Sequence, residues 1–187
     1  MKIIPRSFYD RDTVDVAIDL IGKLLVRRIN QKIISGMIIE TEAYGYKDDA
    51  ASHSFVGMTE RNKAMFGQVG KAYVYFTYGM HYCVNAVAKN NDFEAGAVLF
   101  RALEPIKGIN SMIKQRKTTL ISNLANGPAK LTQALQITKK QYGEDLTEPS
   151  SLFIIEGKEI KKSEIKARSR IGIKKAADKL WNFSLLN

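Results

Sequence analysis

Apolar positions first recur at helical spacing. Val14, Ala17, Ile18 and Ile21 fall on one face of a helix expected over 13–22, and Asp12 or Thr13 can cap its start. Two extended segments follow, 23–29 and 33–44, with the polar pair Asn30-Gln31 between them as a hairpin turn. Strand alternation in the second places Met37, Ile39, Thr41 and Ala43 on one face. Ile38, Glu40, Glu42 and Tyr44 share the other. Residues 45–58 are rich in Gly, Asp, Ser and Ala and read as a loop, and a short helix is expected over Glu60–Phe66.

The middle of the chain is β-rich. Residues 71–78 and 81–88 read as strands separated by Gly79, which marks a bend or bulge. A further strand covers 96–104. Helices are expected over 106–116 and 128–136, the second opening on Pro128, a favoured first helical position. The 117–127 stretch is expected to be a mobile loop, and the C-terminal part mixes short strands with loops. The fold class is α+β: one domain over 1–187, with a central, mostly antiparallel curved sheet flanked by helices.

Composition narrows the setting. The 187 residues are 45% hydrophobic, enough for a sizeable core, and no repeat or low-complexity linker interrupts them. The net charge of +10 favours a polyanionic partner, nucleic acid ahead of anionic membrane. Cys83 is the only cysteine, so no disulfide can form within the chain, which suits a reducing compartment. The N-terminus lacks the apolar run of a signal peptide, and no stretch approaches the roughly 18 apolar residues of a membrane helix. The expectation is a soluble cytoplasmic monomer, nucleoid-associated in a bacterium.

Two segments hold the candidate chemistry. Glu-Thr-Glu-Ala-Tyr at 40–44 sets carboxylates beside an aromatic. The stretch from Lys71 to Asn85 packs in Tyr73, Tyr75, Phe76, Tyr78 and Tyr82. Flat aromatic faces, a carboxylate and a basic chain suit a site that holds a nucleobase drawn out of DNA and does acid–base chemistry beside it. Two carboxylates on one strand face cannot flank a glycosidic bond from opposite sides. One therefore serves as general base and the other is structural. His53, His81 and Cys83 have no zinc spacing, and no glycine-rich phosphate loop occurs. Lys130, beside the helix start at Pro128, can hold one backbone phosphate. The basic run from Lys158 to Lys179, which includes Arg168 and Arg170, reads either as a solvated surface or as a phosphate-tracking edge.

At these residues the chain resembles the alkyladenine (3-methyladenine) DNA glycosylase family. The resemblance rests on an ordered set of segments: 40–44, Ala-Ser-His-Ser at 51–54, Thr-Glu-Arg-Asn at 59–62, Met-Phe-Gly at 65–67, Tyr73 to Asn85, Arg-Ala-Leu-Glu-Pro at 101–105, Gly-Pro-Ala-Lys-Leu at 127–131 and Arg-Ile-Gly-Ile at 170–173. It implies excision of alkylated and deaminated purines from duplex DNA, without metal or cofactor. It matches Glu42 to the catalytic carboxylate. Arg101 and the main-chain carbonyl of Ile171 match the groups that help it hold the attacking water. Tyr44, His53 and Tyr75 match the walls around the flipped base, Asn85 the pocket floor, and Tyr78 the side chain that wedges into the duplex. One departure stands out: the family often ends in Pro-Trp-Arg-Phe, where this chain has Leu180-Trp181-Asn182-Phe183. If the family's arginine touches a phosphate, this chain lacks that contact, and Lys179 is the available point charge. Two other readings compete. A non-catalytic single-strand or RNA-binding module would use the aromatics as stacking platforms. A metal-dependent nuclease would need a carboxylate cluster that the sequence lacks.

Overall fold

The structure, a computed structural model, describes residues 2–186. Helix α1 spans Thr13–Asp19, and strands β1 (Leu24–Ile29) and β2 (Lys32–Tyr44) follow. Next come α2 (Lys63–Phe66), β3 (Ala72–Thr77), β4 (His81–Val87), β5 (Ala97–Lys107), α3 (Ile109–Arg116) and α4 (Pro128–Ala134). Three short strands complete the set: β6 (Leu152–Ile155), β7 (Ile165–Arg168) and β8 (Asn182–Leu185). The eight strands form one curled antiparallel sheet in the order β3-β4-β5-β2-β1-β6, with β8 also on β2 and β7 on β8. The α+β class expected from the sequence is the class observed.

Both hairpins lie where the turn residues place them. The β1–β2 pairing closes at Ile29↔Lys32, so Asn30-Gln31 is a two-residue turn with Asn30 at φ 54°. The β3–β4 pairing closes at Thr77↔His81, and the bend expected at Gly79 is a hairpin tip. Tyr78 and Gly79 both take positive φ there, 52° and 68°, and the Tyr78 side chain is 85% exposed.

Element ends differ more. Helix α1 stops at Asp19 rather than at residue 22 because Gly22 turns the chain at φ 89°. Its amide donates to the Ile38 carbonyl and its own carbonyl accepts from Lys158, which locks the turn to two neighbouring segments. Strand β5 continues past residue 104 through Pro105 to Lys107, since those residues pair with Ser35–Met37 of β2, and α3 begins only at Ile109. The helix expected from residue 60 is confined to 63–66, because Asn62 is drawn into side-chain bonds with the Thr59 amide and the His53 and Gly57 carbonyls. Helix α4 ends at Ala134, two residues early. Within the loop at 117–127, Leu124 and Ala125 are buried in the core, and the Ala125 carbonyl accepts from the Leu103 amide.

The main correction concerns strand parity. Ile34 and Ile38 of β2 point into the core with Leu25, Leu103 and Val98. Simple alternation would carry Glu40 and Glu42 in after them. Instead the pairing with β5 jumps from Ile38↔Leu103 to Glu40↔Ala102 and then to Thr41↔Phe100. Ile39 is the extra residue on β2 and Arg101 the extra residue on β5. Beyond the two bulges the core side passes to Thr41, whose hydroxyl donates to the Ala17 carbonyl at 2.8 Å, and to Ala43. Glu42 therefore does not share a face with Ile38. It emerges on the side of the sheet opposite α1.

Two positive-φ glycines make demands that differ in kind. A Cβ on Gly22 would lie 2.3 Å from the Lys158 carbonyl oxygen, whereas a Cβ on Gly143, at φ 76°, would meet nothing within 4 Å. Gly143→Ala should cost about 1 kcal/mol from backbone strain alone. Gly22→Ala should cost roughly 2–5 kcal/mol, since strain and overpacking add. Urea unfolding of both variants checks the difference, and equal costs would contradict it.

Candidate active site

Glu42 has no exposed surface. An ionised carboxylate in that position is sustained only by donors, and four reach it. Oε1 accepts from the Ile171 amide at 2.7 Å and from Asn182 Nδ2 at 3.1 Å. Oε2 accepts from the Tyr44 hydroxyl at 2.9 Å and from Arg101 Nη1 at 3.1 Å. These four bonds fill the lone-pair positions of a carboxylate. Each donor comes from a different part of the fold. Tyr44 ends β2, Arg101 occupies the β5 bulge, Ile171 lies in the 169–181 loop, and Asn182 opens β8 directly across from Glu42.

In front of this carboxylate lies a cavity of about 460 Å³. Tyr44, His53, Tyr75 and Asn85 all line it, as do Arg101 and Ile171. Glu42 sits behind the wall formed by its own donors Tyr44, Arg101 and Ile171. The ring of His53 meets Tyr75 edge-on at 4.7 Å, and Tyr73 lies 5.4 Å from Tyr75 with the rings tilted. His53 Nδ1 shares a 2.9 Å hydrogen bond with the Tyr73 hydroxyl. Arg61 stands over Tyr75, its guanidinium 5.3 Å from the ring centre. Asn85, opposite Tyr73 on β4, donates its side-chain amide to the Tyr73 carbonyl at 2.9 Å and is itself buried.

Burial controls the titration of this wall. It raises the Tyr44 hydroxyl, with Glu42 adding to the effect, and so keeps the proton that Tyr44 donates. Burial also raises the Tyr75 hydroxyl. His53 moves the other way. Burial, aided by the positive charge of Arg61, lowers its imidazole from 6.5 to about 4. His53 is a neutral ring at neutral pH, and a neutral ring stacks without repelling a cation.

Sequence reasoning does not find the pair that holds the wall in place. Arg170 and Asp49 are both fully buried and form a two-pronged salt bridge of 2.6 and 2.7 Å. Arg170 also donates to the Ala43 carbonyl, and its guanidinium packs 4.7 Å from the Tyr44 ring and 5.2 Å from Trp181. The expectation that Arg170 meets a DNA phosphate is therefore corrected. Its charge is neutralised inside the protein and fixes Tyr44 and the Ile171 loop. Arg168, two residues earlier, is exposed, with one amine on Ser184. Lys130 is partly exposed and bonds the Asn123 and Asn126 side chains. Position 182 is corrected as well. Asn182 is completely buried and bonded to Glu40 and Glu42, so this position does not face a phosphate. Lys179 pairs with Asp48 at 2.9 Å.

Glu40 lies beside Glu42 on the same network. It bonds Asn182 Nδ2 at 2.8 Å and lies 3.4 Å from Arg101 Nε. No group of three or more His, Cys, Asp or Glu side chains able to hold a metal occurs among the described residues. No helix among them is long and apolar enough to cross a membrane.

The His53 shift has a sign that can be checked. The unfolded chain binds this proton near pH 6.5, the folded chain only near pH 4. Stability from this group is present above pH 6.5 and is lost as pH falls toward 4. Urea unfolding across that window should show a shallower decline in His53→Gln than in the unsubstituted protein. Parallel curves would remove His53 from the account.

The comparisons with known proteins agree with this geometry. Residues 7–187 match the family model described as methylpurine-DNA glycosylase. A protein of Carboxydothermus hydrogenoformans named "Putative 3-methyladenine DNA glycosylase" is 46% identical over 99% of this chain and 96% of its own. Proteins with the same name from Chlorobium phaeobacteroides and Methanocella arvoryzae are 42% and 43% identical, over 100% and 98% of this chain and 95% and 92% of theirs. With a carboxylate set behind an aromatic cavity and a family match over nearly its whole length, this chain belongs to the methylpurine-DNA glycosylase family, the base-excision-repair glycosylases of alkylated bases.

Proposed function

We propose that this protein flips alkylated or deaminated purines, among them 3-methyladenine, 7-methylguanine, hypoxanthine and ethenoadenine, out of duplex DNA. It then hydrolyses the N-glycosidic bond with a water activated by Glu42 and leaves an abasic site. The observation that carries this reading is the buried Glu42 carboxylate held by four donors directly behind an aromatic-walled cavity. The cavity lies within the roughly 300–1,000 Å³ typical of small-ligand sites.

The proposed reaction runs in three steps. A flipped purine stacks between Tyr44 and Tyr75 over the Asn85 floor, with His53 a third wall edge-on to Tyr75. A cationic base gains a cation–π contribution of about 0.5–2 kcal/mol from such rings. The bond between C1′ and the base nitrogen breaks, its electron pair leaves with the purine, and the sugar becomes oxocarbenium-like. Water takes the place of one of the four donors on Glu42, bonds to C1′ and passes its proton to that carboxylate oxygen, whose charge also stabilises the positive sugar. Arg101 and the Ile171 main chain orient the carboxylate and the water. An N3- or N7-alkylated purine leaves as a neutral base. A neutral purine such as hypoxanthine must gain a proton as it departs.

Outside the cavity, Tyr78 on the hairpin tip fills the space the base vacates, which offsets an unstacking cost of a few kcal/mol. Exposed Arg168, partly exposed Lys130 and the lysines from 158 to 166 track the phosphates. The protein works as a cytoplasmic monomer without metal or cofactor, and it is monofunctional. Among the described residues no lysine lines the cavity, so none of them places an amine to form a Schiff base with the sugar. A passive stacking module would have no use for an ionised carboxylate buried at such cost.

Glu42→Gln should bind lesion-bearing duplex DNA as well as the unsubstituted protein and release base at least about 100-fold more slowly, since shape is kept and the base is lost. Single-turnover release of 7-methylguanine measures this, and a rate near that of the unsubstituted protein would move the role elsewhere, first to Glu40. Borohydride in the same reactions should trap no protein–DNA adduct.

Asn85 should exclude guanine. Guanine and hypoxanthine share the 6-oxo group and differ in the 2-amino group, which would crowd the Asn85 amide and break its bond to Tyr73. Asn85→Ala should raise release of undamaged guanine relative to hypoxanthine, most at mismatches. An unchanged ratio of the two in matched duplexes would assign Asn85 to packing alone.

A further inference from the structure

We infer that Asn182 is a positioning residue for the Glu42 carboxylate, an inference that rests on the glycosylase reading above. Its side chain is completely buried, and Nδ2 donates to both carboxylates of the site, Glu40 Oε1 at 2.8 Å and Glu42 Oε1 at 3.1 Å. An amide nitrogen has two hydrogens, so one is available for each oxygen. The strand ladder fixes where that nitrogen sits. Asn182 pairs with Glu42 in the β2–β8 register, and the Ala43 amide donates to the neighbouring Trp181 carbonyl at 2.9 Å.

Two observations separate this from ordinary packing. Asn182 Oδ1 is buried and meets no donor group among the described residues. A buried acceptor left unmatched is unfavourable, and a purely structural side chain would avoid it. The alternative amide orientation would satisfy nothing either, because it would turn Oδ1 toward two carboxylates. The orientation is therefore dictated by Glu40 and Glu42 together, at the expense of the residue's own acceptor.

The second observation is charge. One guanidinium, that of Arg101, faces both carboxylates, 3.1 Å from Glu42 and 3.4 Å from Glu40. The resembling family often carries an arginine at the position of Asn182. Here the second link between the carboxylates is a neutral amide, so among the described residues Arg101 is the sole cation paired with the two. Asn182 keeps the two carboxylates bridged and Glu42 Oε1 directed at the Ile171 amide while adding no positive charge. That leaves more of the Glu42 charge available to the positive sugar.

The test uses the full chain and a duplex carrying a single 7-methylguanine. Single-turnover base release is followed across pH for the unsubstituted protein, Glu42→Gln, Asn182→Leu and Asn182→Arg. Asn182→Leu removes both donors in a similar volume. It should slow release roughly ten- to hundredfold while lesion binding stays within about twofold. It should also move the acid limb of the rate profile to higher pH, because a carboxylate that loses a donor protonates more easily. Asn182→Arg restores two donors, so its acid limb should return to or below its original pH and part of the rate should be regained. A Leu variant that releases base normally, or one that is slow with an unmoved acid limb, overturns the positioning role. So does an Arg variant whose acid limb lies above that of the unsubstituted protein, a result that stays readable if the Leu variant fails to fold. Failure of the wider reading looks different: no base release by the unsubstituted protein, or full release by Glu42→Gln.

Discussion

An ionised side chain with no exposed surface has to be compensated by its surroundings, and at Glu42 that requirement organises the whole site. Moving a carboxylate out of water costs several kcal/mol even after relaxation, and hydrogen bonds to a charged acceptor return about 1.5–3 kcal/mol each. A single neighbouring donor would not suffice. The four that are present are drawn from two neighbouring strands, a C-terminal strand and a loop. Parts of the chain separated by up to 140 residues are thus obliged to meet at one point. Three of the four donor residues, Tyr44, Arg101 and Ile171, also line the cavity, so the group that is held and the room in front of it share much of their construction.

The Arg170–Asp49 pair carries this logic one layer outward. The ion pair is fully buried, and Arg170 directly precedes Ile171, whose amide bonds Glu42. Its guanidinium also lies against Tyr44, which is both donor and wall. Loss of either partner would leave an unpaired charge inside the protein, a change that typically costs about 3–5 kcal/mol. Rigid support of this kind keeps catalytic geometry from drifting.

Much of the fold is legible in the sequence because its signals are local. Asn30-Gln31 and Gly79 mark both hairpins, Pro128 marks a helix start, and the carboxylate beside the aromatics marks the site. Contacts distant in sequence are what escape such reading. Gly22 ends α1 early through bonds to Ile38 and Lys158, and β5 runs on through Pro105 because β2 is there to pair with it. Arg170 looks like a surface cation until Asp49 is folded against it, and Asn182 looks like a missing phosphate contact until β8 is laid beside β2. The Ile39 bulge leaves no mark in composition, since the residue itself would suit an ordinary strand.

That bulge gives the site an unusual kind of fragility. The side on which Glu42 emerges is settled by Ile39 standing outside the ladder with β5. Four residue steps separate Ile38 from Glu42, and four steps of plain alternation would bring the carboxylate back to the apolar side with Ile38. Drawing Ile39 into the ladder would turn Glu42 toward α1 and Thr41 toward the cavity, whereas deleting Ile39 would leave three plain steps and the facing unchanged. Along this strand a residue that pairs with nothing decides which way the charge faces.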